Sequence, residues 1–420
     1  MTRHWRSIPT VFAALCAPLL AHATNGYFSE GYGARSQGQA GVSVAWGQDA
    51  LASASNPAAL SDVGERVDLG LTWFVPSRSS AIVGNQFGSD ASYSGNATRN
   101  FFLPEFGWAK SLSNTVTAGI AVYGNGGLDT NYASNPYARF GATGSAGVDL
   151  EQIFITPAAS WKPSPTQSLG VALNVAYQRF SAKGLGLFSA FSSDSAHVSD
   201  QGTDSSTGAG VRLGWTGELA PGWTLGASWA SRISGRFSKY RGLFAGAGSF
   251  DVPENYAIGL KVAPAQDWTL GADVQEIRYS QVPAVGDSIR SLLQGTPLGA
   301  PAGPGFGWRD VTVFKFAISH AVDEHLVVRA GFSHGRQPVP SGETFFNILA
   351  PGVVENHLTL GATWRQGGGE WTGYFAYAPG KTVNGANSIP PGNPPGGFGG
   401  GNANVSLKET SVGLSYAWKS

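Results

Sequence analysis

Few residues of this 420-residue chain stand in patterns that could do covalent chemistry. Gly380-Lys381-Thr382 carries the tail of a phosphate-binding loop, but Phe375 occupies the position where that motif needs its first glycine. His320 and His325 flank a short turn, and their spacing to the nearby carboxylates gives no metal geometry. Serine, histidine and aspartate occur in no order that singles out a nucleophile and its base. No catalytic residue, metal or cofactor is therefore expected. The chemistry that does stand out is apolar and non-covalent. Leu185, Leu187, Phe188 and Phe191 lie in one loop-like stretch, and Leu243 and Phe244 in another. Apolar side chains clustered in such segments suit the capture of an apolar ligand, or else they pack the loops against each other. Lys183 and Arg309 sit near strand ends that face the same loops, where they could meet a ligand carboxylate or pair with a loop acid.

The rest of the chain must position these residues. Its first 23 residues read as a secretory signal: Arg3 and Arg6, an apolar run from Ile8 to Leu20, then Ala21-His22-Ala23. The run is shorter than the roughly 20 apolar residues of a spanning helix, and no later segment approaches that length. The single cysteine, Cys16, lies inside the signal, so no disulfide is expected after processing. Charged residues make up 13% of the chain, against roughly 25% in soluble proteins. With a net charge of zero, nothing would displace counterions from nucleic acid, and nucleic acid is not expected as a partner.

From Val67 onward the chain alternates with a period of two. Val67, Leu69, Leu71, Trp73 and Val75 share one face, and Asp68, Gly70 and Thr72 the other. The pattern returns at Val116 to Val122, Leu169 to Tyr177, Trp223 to Trp229, Leu358 to Trp364 and Val412 to Trp418. About fourteen such segments occur, starting near Val67, Phe101, Thr115, Leu150, Ser168, Ser206, Gly222, Val252, Asp267, Trp308, His325, Val354, Gly369 and Ser406. Short gaps such as Ala220-Pro221 and Gln366 to Gly368 interleave with long ones. Short turns on one side and long loops on the other are the rhythm of an outer-membrane barrel. Hydrocarbon offers no partner to a backbone N–H or C=O, so strands can cross it only in a sheet that closes on itself. Two Trp-Thr-Leu-Gly-Ala repeats, Trp223 to Ala227 and Trp268 to Ala272, put an indole just after a short turn, at the level of the membrane interface. The expected fold is all-β: a transmembrane antiparallel barrel of about fourteen strands over residues 63–420. A soluble sandwich would also alternate, but Greek-key connections would not keep this loop rhythm.

Residues 24–62 do not alternate, and their glycines argue against an independent core. A fourteen-stranded barrel has an interior too wide for its own side chains to fill. We therefore expect this segment to be a plug in the lumen. Ser55-Asn56-Pro57-Ala58-Ala59-Leu60 closes it: Asn56 can cap or form an Asx-turn and Pro57 fixes φ, so Asn56, Pro57 and Ala58 would make a rigid corner locking the plug to the wall.

The chain resembles the FadL-type long-chain fatty-acid and hydrocarbon transporters of bacterial outer membranes. The resemblance rests on Gly33-Ala34-Arg35-Ser36 with Gly38 and Gly41, on Asp49-Ala50 and on the Ser55 to Leu60 block. It continues in Trp308 to Thr312, in Arg329-Ala330-Gly331 and in Pro338-Val339-Pro340. It implies a fourteen-stranded barrel with an N-terminal hatch and outer loops that collect apolar ligand. It further implies a pocket at the mature N-terminus, here Thr24, Asn25, Gly26, Tyr27 and Phe28, and lateral exit through an inward kink of the third strand. The matching stretch is Tyr123 to Leu128; its Asn125, Gly126, Gly127 and Leu128 would form the gate, and glycines there favour a broken ladder. The partners implied are a hydrophobic small molecule, outer-membrane lipid and lipopolysaccharide, with the barrel acting as a monomer. Passive uptake of fatty acids or hydrocarbons is the expected function. A non-transporting barrel, such as an adhesin or structural porin, and an outer-membrane lipolytic enzyme are the alternatives.

Overall fold

The computed structural model describes residues 25–393 and 397–419; the expected signal peptide and Thr24 lie outside the described residues. Fourteen antiparallel strands follow one another around a closed sheet. They are β1 (Arg66–Val83), β2 in two pieces (Ala91–Ser94 and Phe101–Ser111), β3 (Val116–Tyr132), β4 (Ala146–Ser164) and β5 (Gln167–Lys183). Next come β6 (Asp204–Ala220), β7 (Trp223–Ala230), β8 (Asn255–Ala265), β9 (Trp268–Ile277) and β10 (Val311–Ala321). The wall is completed by β11 (Leu326–Gly335), β12 (Asn356–Gln366), β13 (Gly369–Val383) and β14 (Asn402–Lys419). Both pieces of β2 pair with β1, so they form one interrupted strand. Closure comes from β1 against β14, in register from Arg66↔Lys419 to Val83↔Asn402. With its first and last strands paired, the sheet closes on itself and leaves neither terminal strand as an open edge in lipid.

The expected alternation appears as an exposed apolar belt. Leu69, Leu71 and Trp73 on β1, Leu169, Val171 and Leu173 on β5, and Leu358, Leu360 and Trp364 on β12 all point outward. The indoles of Trp223 and Trp268 are exposed beside short turns. Where the strands were expected and where they lie differ at one informative place: the segment expected to begin at Trp308 begins at Val311. Trp308 belongs instead to the preceding loop and is buried, 1% exposed.

Residues 25–62 are almost wholly buried and carry only short helical pieces, among them Ala34–Gln37, Ala50–Ala54 and Pro57–Asp62. They touch strands all the way round, which places them inside the barrel. Gly170 on β5 and Gly214 on β6 are register partners, and a Cβ on either would collide with the Asn56 to Ala58 corner. The small inward face of these strands thus has a physical cause: main chain of the plug lies directly against main chain of the wall.

The Asn56-Pro57-Ala58 corner lies in the same contacts. Asn56, 0% exposed, accepts a hydrogen bond on Oδ1 from the Ala58 N–H at 3.0 Å. Its Nδ2 donates to the carbonyls of Val44 (2.7 Å) and of Trp215 on β6 (3.0 Å). One side chain therefore caps the last helical turn of the plug, ties two of its segments together and fastens them to the wall. Around Glu370 of β13 a second fastening forms. Its carboxylate is paired with Arg35 of the plug, with Arg66 at 3.3 Å, with Arg365 at 3.2 Å and with Lys419 at 2.7 Å.

Candidate apolar transport path

Three apolar sites lie along the inside of the barrel. The outermost is a cavity of about 40 Å³ under the long loops, lined by Leu185, Phe188, Leu243, Phe244, Phe306 and Phe346, among others. Four of the six loop residues expected to bind ligand thus line one space. Leu187 and Phe191 pack against the same apolar cluster without lining the cavity. Among the described residues, no charged one lines it. Lys183, at the end of β5, is half-buried and Arg309 is exposed, with its backbone N–H donating to the Pro338 carbonyl at 3.0 Å; neither reaches the cavity wall. A space of this size is well below the roughly 150 Å³ of an engineered apolar cavity that admits benzene, so a ligand enters only as the loop side chains part.

The second site surrounds the turn from Asn25 to Phe28. Tyr27 packs on Tyr279 (ring centroids 5.1 Å apart), on Trp308 (5.9 Å) and on Phe250 (6.2 Å), while Phe28 meets Tyr279 edge-on at 6.0 Å. Phe250 in turn lies 4.9 Å from Phe244, which lines the outer cavity. An aromatic chain therefore joins the two sites. The turn is held by the Tyr279 hydroxyl, which donates to the Asn25 carbonyl and accepts the N–H groups of Tyr27 (3.1 Å) and Phe28 (3.3 Å). Burial pushes the Tyr279 hydroxyl far above its ordinary pKa, so it remains a neutral donor. Gly26 has φ +73° and a Cβ there would strike the Tyr279 hydroxyl and the Trp308 ring, so this position requires glycine.

The third site is a break in the wall. The β2–β3 ladder runs from Ser111↔Thr117 only as far as Phe106↔Val122. Beyond it β3 carries a bulge between Gly124 and Gly126 on its β4 side. On its other side it pairs with the plug instead of with β2: the Ser29 N–H donates to the Asn125 carbonyl at 2.9 Å, and the Gly127 N–H donates to the Tyr27 carbonyl at 3.0 Å. A Cβ on Gly126 would overlap that Tyr27 carbonyl. The Asn125 side chain turns inward, accepts from the Tyr32 hydroxyl at 2.8 Å and donates to Gln152 at 3.0 Å. Higher up, contact between the two strands resumes where the Ala97 N–H donates to the Asn131 carbonyl at 3.0 Å. Between these two limits the strands share no backbone ladder. Behind the break lies a cavity lined by Phe74, Phe101, Leu128, Pro351, Leu407 and Glu409, together with Arg78 and Asp129, which pair with each other.

The sequence reading did not find Tyr279, Phe346 or the inward position of Trp308. Phe345-Phe346 is an apolar pair within a loop, the same signal that marks Leu187-Phe188. Tyr279 carries no local signal at all, since the groups its hydroxyl holds lie some 250 residues away.

Several solved structures share the fold. A Pseudomonas aeruginosa FadL homologue superposes with a TM-score of 0.72 at 14% identity, covering 94% of this chain and 99% of that one. The Pseudomonas putida toluene transporter TodX gives 0.68 at 16% identity over 93% of this chain and 99% of its own. For the Ralstonia pickettii toluene transporter TbuX the score is 0.63 at 16% identity, over 93% and 98%. Comparison with curated protein sequences finds no match. The model of one family matches residues 20–368, most of the chain, and the protein therefore belongs to the outer membrane protein transport family (OMPP1/FadL/TodX) of the bacterial outer membrane.

Proposed function

We propose that this barrel takes up uncharged apolar molecules passively: the outer loops capture the ligand, the aromatic turn at the plug passes it inward, and the break between β2 and β3 releases it sideways into the bilayer. The observation that carries this reading is the departure of β3 from β2 to pair with Tyr27 and Ser29, which puts an opening in the wall at the end of an aromatic chain. Lateral release suits an oily ligand, because a water-filled bore would expose its surface at about 25 cal/mol per Å². The outer cavity offers five phenylalanines, Phe180, Phe188, Phe244, Phe306 and Phe346, and no counter-charge for a carboxylate. That lining favours aromatic hydrocarbons over fatty acids, since rings gain edge-to-face contact while an unpaired buried carboxylate loses its hydration. The toluene transporters that share the fold agree with this direction.

The test is uptake of radiolabelled toluene and of radiolabelled oleate by cells that lack other transporters of this kind, with and without the protein. Faster toluene entry with little change for oleate is expected. If neither compound enters faster, the barrel does not transport these classes.

A further inference from the structure

One buried group has no place in a path for plain hydrocarbon. Glu409 on β14 is 2% exposed, and neither of its carboxyl oxygens has a hydrogen-bond partner among the described residues. It lines the cavity behind the wall break, whose other walls include Phe74, Phe101, Leu128, Pro351 and Leu407. No neighbour among the described residues donates a hydrogen bond to it, and its one ion-pair contact, with His357, is long. Arg78, also at this cavity, is directed elsewhere: it pairs with Asp129 and donates to the carbonyls of Asp129 and Thr98 and to Asn96, and no hydrogen bond joins it to Glu409. On the other side His357 Nε2 stands 3.9 Å from Glu409 Oε2, beyond hydrogen-bond range and itself unpartnered, while His357 Nδ1 faces Ser333 at 3.1 Å and Glu30 of the plug at 3.3 Å. A buried acceptor left unmade costs free energy, commonly offset at ligand sites by a donor on the ligand.

We propose that the cavity behind the β2–β3 break is a binding site for aromatic molecules carrying one hydroxyl group, phenols and their relatives, with the ring among Phe74, Phe101 and Leu128 and the hydroxyl donating to Glu409. The site rests on the uptake reading above and narrows its substrate class. A neutral phenol matches both halves of the lining once the side chains around this cavity of about 20 Å³ part to admit it: its ring replaces apolar contact of the exit path, and its single donor meets the orphaned Glu409 carboxyl group. A ligand carboxylate would instead be repelled by Glu409, and a plain hydrocarbon would leave it unpaired.

The probes are 4-bromophenol and 4-bromotoluene, which differ in a hydroxyl against a methyl group. Calorimetric titration of the purified barrel in detergent, corrected for micelle partitioning, should show Glu409→Leu weakening 4-bromophenol about tenfold, the loss of one hydrogen bond. Binding of 4-bromotoluene should change less than about twofold, because no hydrogen bond is lost. Equal losses for both compounds, or an unchanged phenol, overturn the proposal. A variant that fails to fold leaves a second measurement on the unaltered protein: a crystal soaked in 4-bromophenol should show a bromine anomalous peak in this cavity with the hydroxyl on Glu409. A bromine peak only elsewhere, or a hydroxyl directed away from Glu409, also overturns it. Should cells take up both compounds while the phenol ignores Glu409, this site fails and the uptake reading stands. Should the phenol bind as described while neither compound enters cells, the uptake reading fails instead.

Discussion

The backbone N–H of Gly127 in the third strand donates to the carbonyl of Tyr27 in the plug, at 3.0 Å. A donor that a continuous wall would spend on the neighbouring strand is spent on the plug, so the wall break and the position of the N-terminal turn are one structural fact.

Gly126→Ala should separate them. The added methyl group overlaps the Tyr27 carbonyl, so the turn must move away from β3 and lose its two backbone hydrogen bonds there, about 1 kcal/mol each. We expect a normally folded barrel, judged by heat-modifiable gel mobility, with toluene uptake reduced by up to about thirtyfold on the same arithmetic. Uptake equal to the unaltered protein would show that the turn is not needed at β3.

Asn56→Ala removes a cap and two ties in one change, and leaves the Val44 and Trp215 carbonyls without this donor. The cost to plug docking should be about 2–4 kcal/mol, from three buried hydrogen bonds. Hydrogen exchange across residues 44–58 should speed up while the strands stay protected. Unchanged exchange in the plug would mean that other contacts hold it without this corner.

Tyr279→Phe keeps the ring against Tyr27 and Trp308 but deletes the hydroxyl that joins the Asn25 carbonyl to two N–H groups. Binding of toluene at the aromatic turn should weaken about three- to tenfold through loss of order in the turn. Fluorescence of Trp308, packed against the same residues, should report a looser environment; an identical spectrum and affinity would refute the role.

Plug docking should also depend on pH through Asp49. Burial, and next the nearby Asp68, push its carboxyl from an ordinary 3.8 up to about 6. A carboxyl whose pKa rises on docking favours the docked state fully below about pH 4, and this contribution is lost as pH rises to about 6. Hydrogen exchange around residues 49–51 should therefore slow, beyond its intrinsic pH trend, as pH falls from about 6.5 to 4. Asp49→Asn should remove that dependence; a pH response that survives the substitution would assign it to another group.

The sequence alone determined the layers of this protein. Alternation is a local property, so Leu69, Leu71 and Trp73 could be assigned to lipid, and the loop rhythm could give fourteen strands, without any knowledge of which strand meets which. The cavity-lining residues Leu185, Phe188, Leu243 and Phe244 were legible for the same reason, as apolar side chains out of place in loops. Asn56-Pro57 announced a corner from the preferences of its own two residues, and the glycines of β3 announced a weak ladder. What faces what across the lumen was decided only by closure. Tyr27 meets Tyr279 and Trp308, and Glu409 meets Leu128 and Phe101, because β14 returns to β1 and the plug fills the space between. Those contacts join residues hundreds of positions apart, and no periodicity along a single strand encodes them. The wall break needed both: glycines that let β3 bend, and a plug segment in place to make the hydrogen bonds that β2 gives up, accepting at Tyr27 and donating at Ser29.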